Sequence, residues 1–179
     1  MNMFLLNFLY FNATIIEKIG MVEIMSNTNL NSKGKAPSES AIEMTELVLP
    51  NDTNLLGNLM GGRLMHWMDI AGALTASRHS NKTVATVSVD GLVFTHPIRM
   101  GEMVVLKAKI VYVGRTSMVV HVKIFAENLK TGSIMLTNEA HMTFVALDDN
   151  GNPHPVPPLL LQTEEEIEMY KVEMQKKKC

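Results

Sequence analysis

Residues 51–80, NDTNLLGNLMGGRLMHWMDIAGALTASRHS, decide the fold. The stretch begins as a polar, asparagine-rich loop, passes through a Gly-Gly step and then predicts one long helix. The second half of this helix is rich in small residues, namely Ala71, Gly72, Ala73, Ala76 and Ser77. Because small side chains let two backbones approach closely, we expect another part of the protein to wrap around the helix.

Asp69 is the carboxylate of this apolar helix and our candidate catalytic residue. No Lys or Arg stands three or four positions away, where it could neutralise the charge. A buried carboxylate costs free energy unless it is paired or hydrogen-bonded. A solvent-facing aspartate is the alternative, but the apolar neighbours favour a functional role.

The glycines at the start of the helix predict an oxyanion site. The first N–H groups of a helix have no partner within it, and the helix dipole adds positive potential there. Gly61 and Gly62 would leave these amides open to a substrate carbonyl. A turn that needs glycine only for its geometry is the alternative.

The distance along the helix has a consequence for the site. Asp69 lies about 10 Å beyond Gly62 at 1.5 Å per residue, so one carbonyl cannot contact both groups of a single helix. Two helices that run antiparallel across a two-fold axis would bring the N-terminus of one to the aspartate of the other. We therefore expect two active sites per dimer, each shared between subunits.

The sequence on either side of the helix predicts β-strands. A short strand, Glu46–Leu49, stops at Pro50. After the helix, alternating apolar residues predict antiparallel strands, paired in consecutive order, over 83–96, 102–113, 116–127 and 133–147. The apolar parity flips at Asp90-Gly91, which predicts a β-bulge. A sheet of this length has a second face and edges to cover, so we expect an oligomer.

The composition divides the chain into three parts. Residues 1–42 read as a disordered N-terminal extension or an over-extended translation start, because an apolar segment without a charged leader is followed by a polar linker. Residues 43–157 form the folded domain. Residues 158–179 form a charged tail, interpreted as a solvated surface helix.

Charge and residue usage exclude several classes of partner. A net charge of −2 predicts no nucleic-acid binding. The single cysteine, at position 179, excludes a disulfide framework and suits a reducing cytoplasm. The six histidines lack the spacing of a zinc site, and no apolar run is long enough to span a membrane. We expect no metal and no membrane partner.

The run from Thr45 to about Pro157 resembles the hotdog-fold acyl-CoA thioesterases of the YciA and brain acyl-CoA hydrolase group. The matching segments are DTNLLGNLMGG, RLMHWMDIAGALTASRH, the Phe94-x-x-Pro97 strand end, VGRTSM and NEAHMTFVALDDNG. The resemblance implies an α+β hotdog fold, in which an antiparallel β-sheet wraps around one long central helix. It also implies hydrolysis of acyl-CoA thioesters without a further cofactor, in a homohexamer that is a trimer of dimers.

The resemblance also implies roles for individual residues. Asp69 matches the catalytic acid, Asn54 an asparagine paired with it from the facing protomer, and Gly62 the amide that polarises the thioester carbonyl, with Gly61 beside it. The hairpin that holds coenzyme A matches Arg115, Thr116 and Ser117, with Arg115 as the phosphate contact. Asp69 would act as general base or as nucleophile, and the sequence does not choose between them.

Two other functions remain as alternatives. A hotdog dehydratase acts on hydroxyacyl thioesters and typically needs a histidine with the acid, a place that His66 could take. An acyl-CoA-binding regulator would bind without turnover, but residues 1–42 lack the basic helix of a DNA-binding segment. The acyl-chain length is not encoded in these motifs.

Overall fold

The predicted central helix lies across a single antiparallel sheet. The structure is a computed structural model that describes residues 33–94 and 96–178. Its helices are α1 (Pro37–Ser40), α2 (Gly61–Ser80) and α3 (Glu164–Lys178), with a short 3₁₀ turn at Pro50–Asp52. Its strands are β1 (Ile42–Leu47), β2 (Thr83–Asp90), β3 (Met103–Val113), β4 (Ser117–Asn128) and β5 (Ser133–Leu147).

The core lies between α2 and the inner face of the sheet. Leu64, Trp67 and Met68 on the helix are buried with the alternating apolar residues of β3, β4 and β5. The close approach expected of the small residues is present at Gly72, where a Cβ atom would lie 2.7 Å from the ring of Phe144. The hotdog fold predicted from the sequence is therefore confirmed.

The strand order differs from the predicted consecutive order. The sheet runs β1-β3-β4-β5-β2, and all its pairings are antiparallel. β3, β4 and β5 pair consecutively, as expected, but β2 pairs with β5 rather than β3. The prediction was wrong here because α2 crosses the sheet and delivers β2 to the opposite edge from β1.

The end of β2 and two register shifts also differ from the prediction. β2 ends at Asp90 instead of continuing to residue 96, and Gly91 follows it with a φ of +77°. The shift in β2 falls between Thr86 and Ser88, not at the predicted Asp90-Gly91. A second shift, where Phe125 pairs with Leu136, leaves Ile134 and Leu136 exposed although alternation predicted them inside. An alternating apolar pattern does not show where a strand contains the extra residue of a β-bulge.

The C-terminal helix covers the outer face of the sheet instead of lying free in solvent. Tyr170 and Glu173 of α3 are buried. The Tyr170 ring lies 5.0 Å from that of Tyr112 on β3, and burial raises the pKa of Tyr170 to about 12. The interpretation of residues 158–179 as a solvated surface helix was wrong for this face of α3.

The segment before β1 contacts both the tail and α2. The backbone of Lys35 exchanges hydrogen bonds with Pro158 and Leu160, and its Nζ donates to the carbonyl of Arg78 at the end of α2. This part of the predicted extension is folded, whereas residues 1–32 lie outside the described residues. The proposed domain limits stay a prediction. None of the described helices is long and apolar enough to cross a membrane.

Candidate active site

The N-terminus of α2 offers unpaired backbone donors. Met60 is the N-cap, and within the described residues no side chain caps this end. The amide of Met60 donates to the carbonyl of Asp52 at 2.9 Å, and the intrahelical bonds begin with Leu64 donating to Met60 at 3.0 Å. The amides of Gly61 and Gly62 lie in the first turn, where a helix has no acceptor of its own. They can therefore stabilise negative charge on a ligand oxygen.

The two glycines have different surroundings. A Cβ atom on Gly61 would lie 3.1 Å from the ring of Phe94, so this glycine permits close packing of the loop that follows β2. A Cβ atom on Gly62 would meet nothing within 4 Å. The side-chain position of Gly62 therefore faces open space.

An ion pair with a buried carboxylate fixes the loop that leads into the helix. Asp52 is 4% exposed, and its Oδ1 lies 2.7 Å from Nε of Arg63 in the first turn of α2. Its Oδ2 accepts a hydrogen bond from the amide of Leu49 at 3.0 Å. This pair could not be predicted from the sequence, because an irregular loop separates Asp52 from Arg63 and no local spacing indicates the contact. The pair ties the end of β1 to the candidate oxyanion site.

Asn54 shapes the same loop. Its Oδ1 accepts hydrogen bonds from the amides of Leu56 at 2.9 Å and Asn58 at 3.2 Å, which closes a tight turn. This arrangement engages the side-chain oxygen and leaves Nδ2 to donate outward. Leu55 and Leu56 at the tip of the turn are exposed. Asn54 thus has a donor group available for a ligand or a second protomer.

A cavity of about 380 Å³ adjoins the helix N-terminus. It lies between the Asn54 loop, the first turn of α2 and the segment after β2. Its walls include Asn54, Gly61, Leu64, Phe94 and Asn138. The structure therefore brings two of the predicted site residues, Asn54 and Gly61, to one cavity.

Asp69 lies outside this cavity, and among the described residues its side chain is hydrogen-bonded to Thr86. Its carboxylate is half-buried, and Oδ1 accepts a hydrogen bond of 2.6 Å from Oγ1 of Thr86 on β2. Sequence reasoning missed Thr86, since the contact joins two elements and no local spacing signals it. The hydroxyl holds one oxygen of the carboxylate and leaves the other for chemistry.

The predicted coenzyme A hairpin lies at the opposite end of the sheet from the cavity. It joins β3 to β4, and the carbonyl of Thr116 accepts a hydrogen bond from Ala146, near the end of β5. Asn138 in the cavity wall lies near the start of β5. Within one protomer the predicted site residues therefore lie in three separate places. These are the helix N-terminus, Asp69 and the hairpin of Arg115, Thr116 and Ser117.

The surface around Asp69 is apolar and exposed. Met65 and Leu74 of α2 and Val87 of β2 are 45%, 50% and 62% exposed. In the described part of the chain β2 pairs with β5 alone, so its other edge has free backbone donors and acceptors. Such an edge normally pairs or is covered.

Histidines elsewhere have structural environments. His79 is buried at the end of α2, and desolvation lowers its pKa. His121 and His141 stack with ring centroids 4.5 Å apart on the outer face of the sheet, and desolvation is the main cause that lowers the pKa of each. Residues 33–94 and 96–178 contain no group of three or more His, Cys, Asp or Glu side chains suited to a metal ion.

Comparisons with known proteins agree on one family. Residues 56–133 match the model of the thioesterase superfamily. The chain is 40% identical over 138 residues to YkhA of Bacillus subtilis, an uncharacterized acyl-CoA thioester hydrolase, covering 77% of this chain and 80% of the relative. It is 33% identical over 122 residues to the acyl-CoA thioester hydrolase YciA of Salmonella typhimurium, covering 66% of this chain and 92% of the relative.

Solved structures agree with this assignment. An apo-hexameric acyl-CoA thioesterase superposes with a TM-score of 0.79 at 39% identity, covering 82% of this chain and 94% of the other. An acyl-CoA hydrolase from Staphylococcus aureus, solved with butyryl coenzyme A and coenzyme A, gives 0.75 at 34% identity, with 82% and 89% covered. The same enzyme has been solved with an asparagine, an aspartate or a threonine changed to alanine. The spacing of those three residues equals that of Asn54, Asp69 and Thr86.

Proposed function

We propose that this chain cleaves its substrate with Asp69, at a site that two copies of the chain form together. The chain belongs to the thioesterase superfamily and is an acyl-CoA thioester hydrolase. The observation that carries the proposal is the position of Asp69, held by Thr86 on an exposed apolar surface and apart from the uncapped N-terminus of its own helix. A second copy across the free edge of β2 would supply the missing amides.

The Gly62 amide and its neighbours would bind the thioester carbonyl. Negative charge develops on this oxygen when the carbonyl carbon is attacked, and the helix N-terminus stabilises it. Loss of one such donor typically costs about 3 kcal/mol of transition-state stabilisation. The ion pair between Asp52 and Arg63 supports this role, because it holds the first turn in place before substrate arrives.

Asp69 would activate the attacking group. As a general base it takes a proton from water, whose oxygen attacks the carbonyl carbon. As a nucleophile it forms a mixed anhydride that water then hydrolyses. In both routes the carbon–sulfur bond breaks, the thiol of coenzyme A leaves with a proton, and a free carboxylic acid remains. In a single-turnover reaction in ¹⁸O water, label in the Asp69 carboxylate would exclude pure base catalysis, since it enters there only through the anhydride.

Asn54 and the β3–β4 hairpin would complete the site. The outward donor of Asn54 is suited to hold the attacking water or the carboxylate of the facing protomer. Arg115, exposed at the hairpin, is suited to bind a phosphate of coenzyme A, with Thr116 and Ser117 beside it. Since solved relatives are hexameric, we propose that the dimers assemble further into a trimer of dimers.

Mixing two inactive variants tests the shared site. Asp69→Ala removes the acid, and Gly62→Pro removes one amide in the first turn, where no intrahelical hydrogen bond is lost. If each site takes Asp69 from one chain and Gly62 from the other, a mixed dimer has one intact site. Co-refolding equal amounts should then recover about a quarter of wild-type activity, since half of the dimers are mixed.

The control is each variant refolded alone, which should stay inactive. If the mixture also stays inactive although mass spectrometry shows mixed dimers, both groups belong to one chain and the shared site is wrong.

A further inference from the structure

The side chain of Asn138 has an unusual hydrogen-bonding state. It is 5% exposed, and its Nδ2 donates to the backbone carbonyl of Val93. A carbonyl oxygen only accepts hydrogen bonds, so this contact fixes which end of the amide faces Val93. The other end, Oδ1, is buried, and no described residue donates to it.

An unsatisfied buried acceptor is costly and calls for an explanation. Leaving such a group unpaired costs free energy comparable to a lost hydrogen bond, and native proteins contain few of them. Asn138 lines the 380 Å³ cavity that also contains Asn54 and Gly61. The acceptor is therefore placed beside the helix N-terminus at which the thioester carbonyl would bind.

We propose that Oδ1 of Asn138 accepts a hydrogen bond from the thioester substrate. The inference rests on the proposed function, because the position of the carbonyl at Gly61 and Gly62 places the neighbouring atoms of the substrate in this cavity. Much of the remaining wall is apolar, with Leu59, Leu64 and Ile98 among its residues. An acceptor next to these apolar side chains selects for a ligand with an N–H or O–H group at that point.

Two parts of an acyl-CoA could carry that donor. The thiol half has an amide N–H two carbon atoms from the sulfur in every coenzyme A ester. A saturated acyl chain has no donor, whereas a hydroxyacyl chain has an O–H near the carbonyl. The N–H of the thiol half is the general source, since all substrates of this class share it.

A substrate pair that differs in one donor tests the contact. The pair is the butyryl thioester of N-acetylcysteamine and its oxygen isostere, the butyryl thioester of 2-acetoxyethanethiol, in which O replaces N–H. Wild-type enzyme should prefer the amide by about tenfold in kcat/KM, because the isostere leaves Oδ1 unpaired. In Asn138→Ala the preference should fall to near one. The Asn138→Leu variant, which keeps the volume of the side chain, should give the same ratio.

The ratio separates a binding role from a structural one. Loss of the contact with Val93 disturbs both substrates equally and leaves their ratio unchanged. Leu59→Ala is the matched control, since it alters the wall of the same cavity without touching the acceptor. It should keep the tenfold preference even if both rates fall.

A second pair identifies the source of the donor. Comparison of 3-hydroxybutyryl and butyryl thioesters measures a hydroxyl on the acyl half. A preference that Asn138→Ala removes from this pair would support the contact and place the acyl half in the cavity. If neither ratio depends on Asn138, the proposal is overturned. Asp69→Ala, assayed with the same substrates, tests the proposed function separately. Activity in that variant would overturn the catalytic role of Asp69, whatever the two ratios show.

Discussion

The two predicted parts of the active site, the first turn of α2 and Asp69, differ in how far a single chain completes each of them. At the first turn of α2, the ion pair of Asp52 with Arg63 and the turn closed by Asn54 fix the loop from within. At Asp69, a single hydroxyl from Thr86 holds the carboxylate, and exposed apolar side chains surround it. The first region is self-sufficient, whereas the second has the character of a surface that becomes buried.

This difference indicates how the site is built. An oxyanion site needs donors that are fixed before the reaction, because their reorganisation would cost the energy that they supply. A carboxylate base gains from exclusion of water, which a neighbouring copy can provide. In the proposed site, each chain would offer one prepared half-site and one that a partner covers.

Removal of the carboxylate should have the largest effect. We expect Asp69→Ala to lower kcat about a thousandfold or more, because the activation of water or the nucleophile is lost. Thiol release from butyryl-CoA measures this, and size-exclusion chromatography should show an unchanged assembly. Activity near that of wild type would refute the catalytic assignment.

Disruption of the apolar surface should break the site while leaving its chemical groups in place. We expect Leu74→Lys to dissociate the dimer and to reduce kcat/KM about a hundredfold, since a charge would be buried without a partner. Sedimentation velocity measures the mass. Leu129→Lys is the matched control, because Leu129 is similarly exposed at the β4–β5 turn and away from α2. A fully active Leu74→Lys monomer would contradict the shared site.

Weakening the self-sufficient half should reduce stability first. Asp52→Asn replaces a buried carboxylate that accepts bonds from Arg63 and Leu49, so we expect the free energy of unfolding to fall by about 2 kcal/mol. Urea denaturation measures this loss. The same change at the exposed Asp149 should be neutral. Equal stability of the two variants would show that the ion pair does not fix the loop.

Loss of the Thr86 hydroxyl should have the smallest effect. We expect Thr86→Val to lower kcat about tenfold with little change in KM, because the carboxylate keeps its charge but loses its orientation. Thr86→Ser retains the hydroxyl and should restore most of the rate. If the valine and serine variants have the same kcat, the hydrogen bond plays no part in turnover.

Much of the fold could be predicted from periodicity. The long helix α2 and the inward face of β4 follow from apolar spacing, because burial of one face dictates which residues are apolar. The placement of β2 and the shifts in β2 and β5 did not follow, since strand order and extra residues depend on contacts between distant segments. The packing of α3 against the sheet was not predicted either, because the segment contains many charged residues and few that are buried.

The candidate site divides in the same way. The sequence by itself determined that a glycine step opens a long helix and that an aspartate without a local Lys or Arg follows, too far along the helix for one carbonyl to contact both. Only the tertiary structure decided that Thr86 holds this aspartate, that Asp52 reaches Arg63, and that Asn138 lines the cavity and has a buried, unpaired oxygen. The physical reason is the separation along the chain over which each interaction acts. Helix ends and apolar periods are local properties of the chain, whereas hydrogen bonds between elements exist only after the sheet has wrapped around the helix.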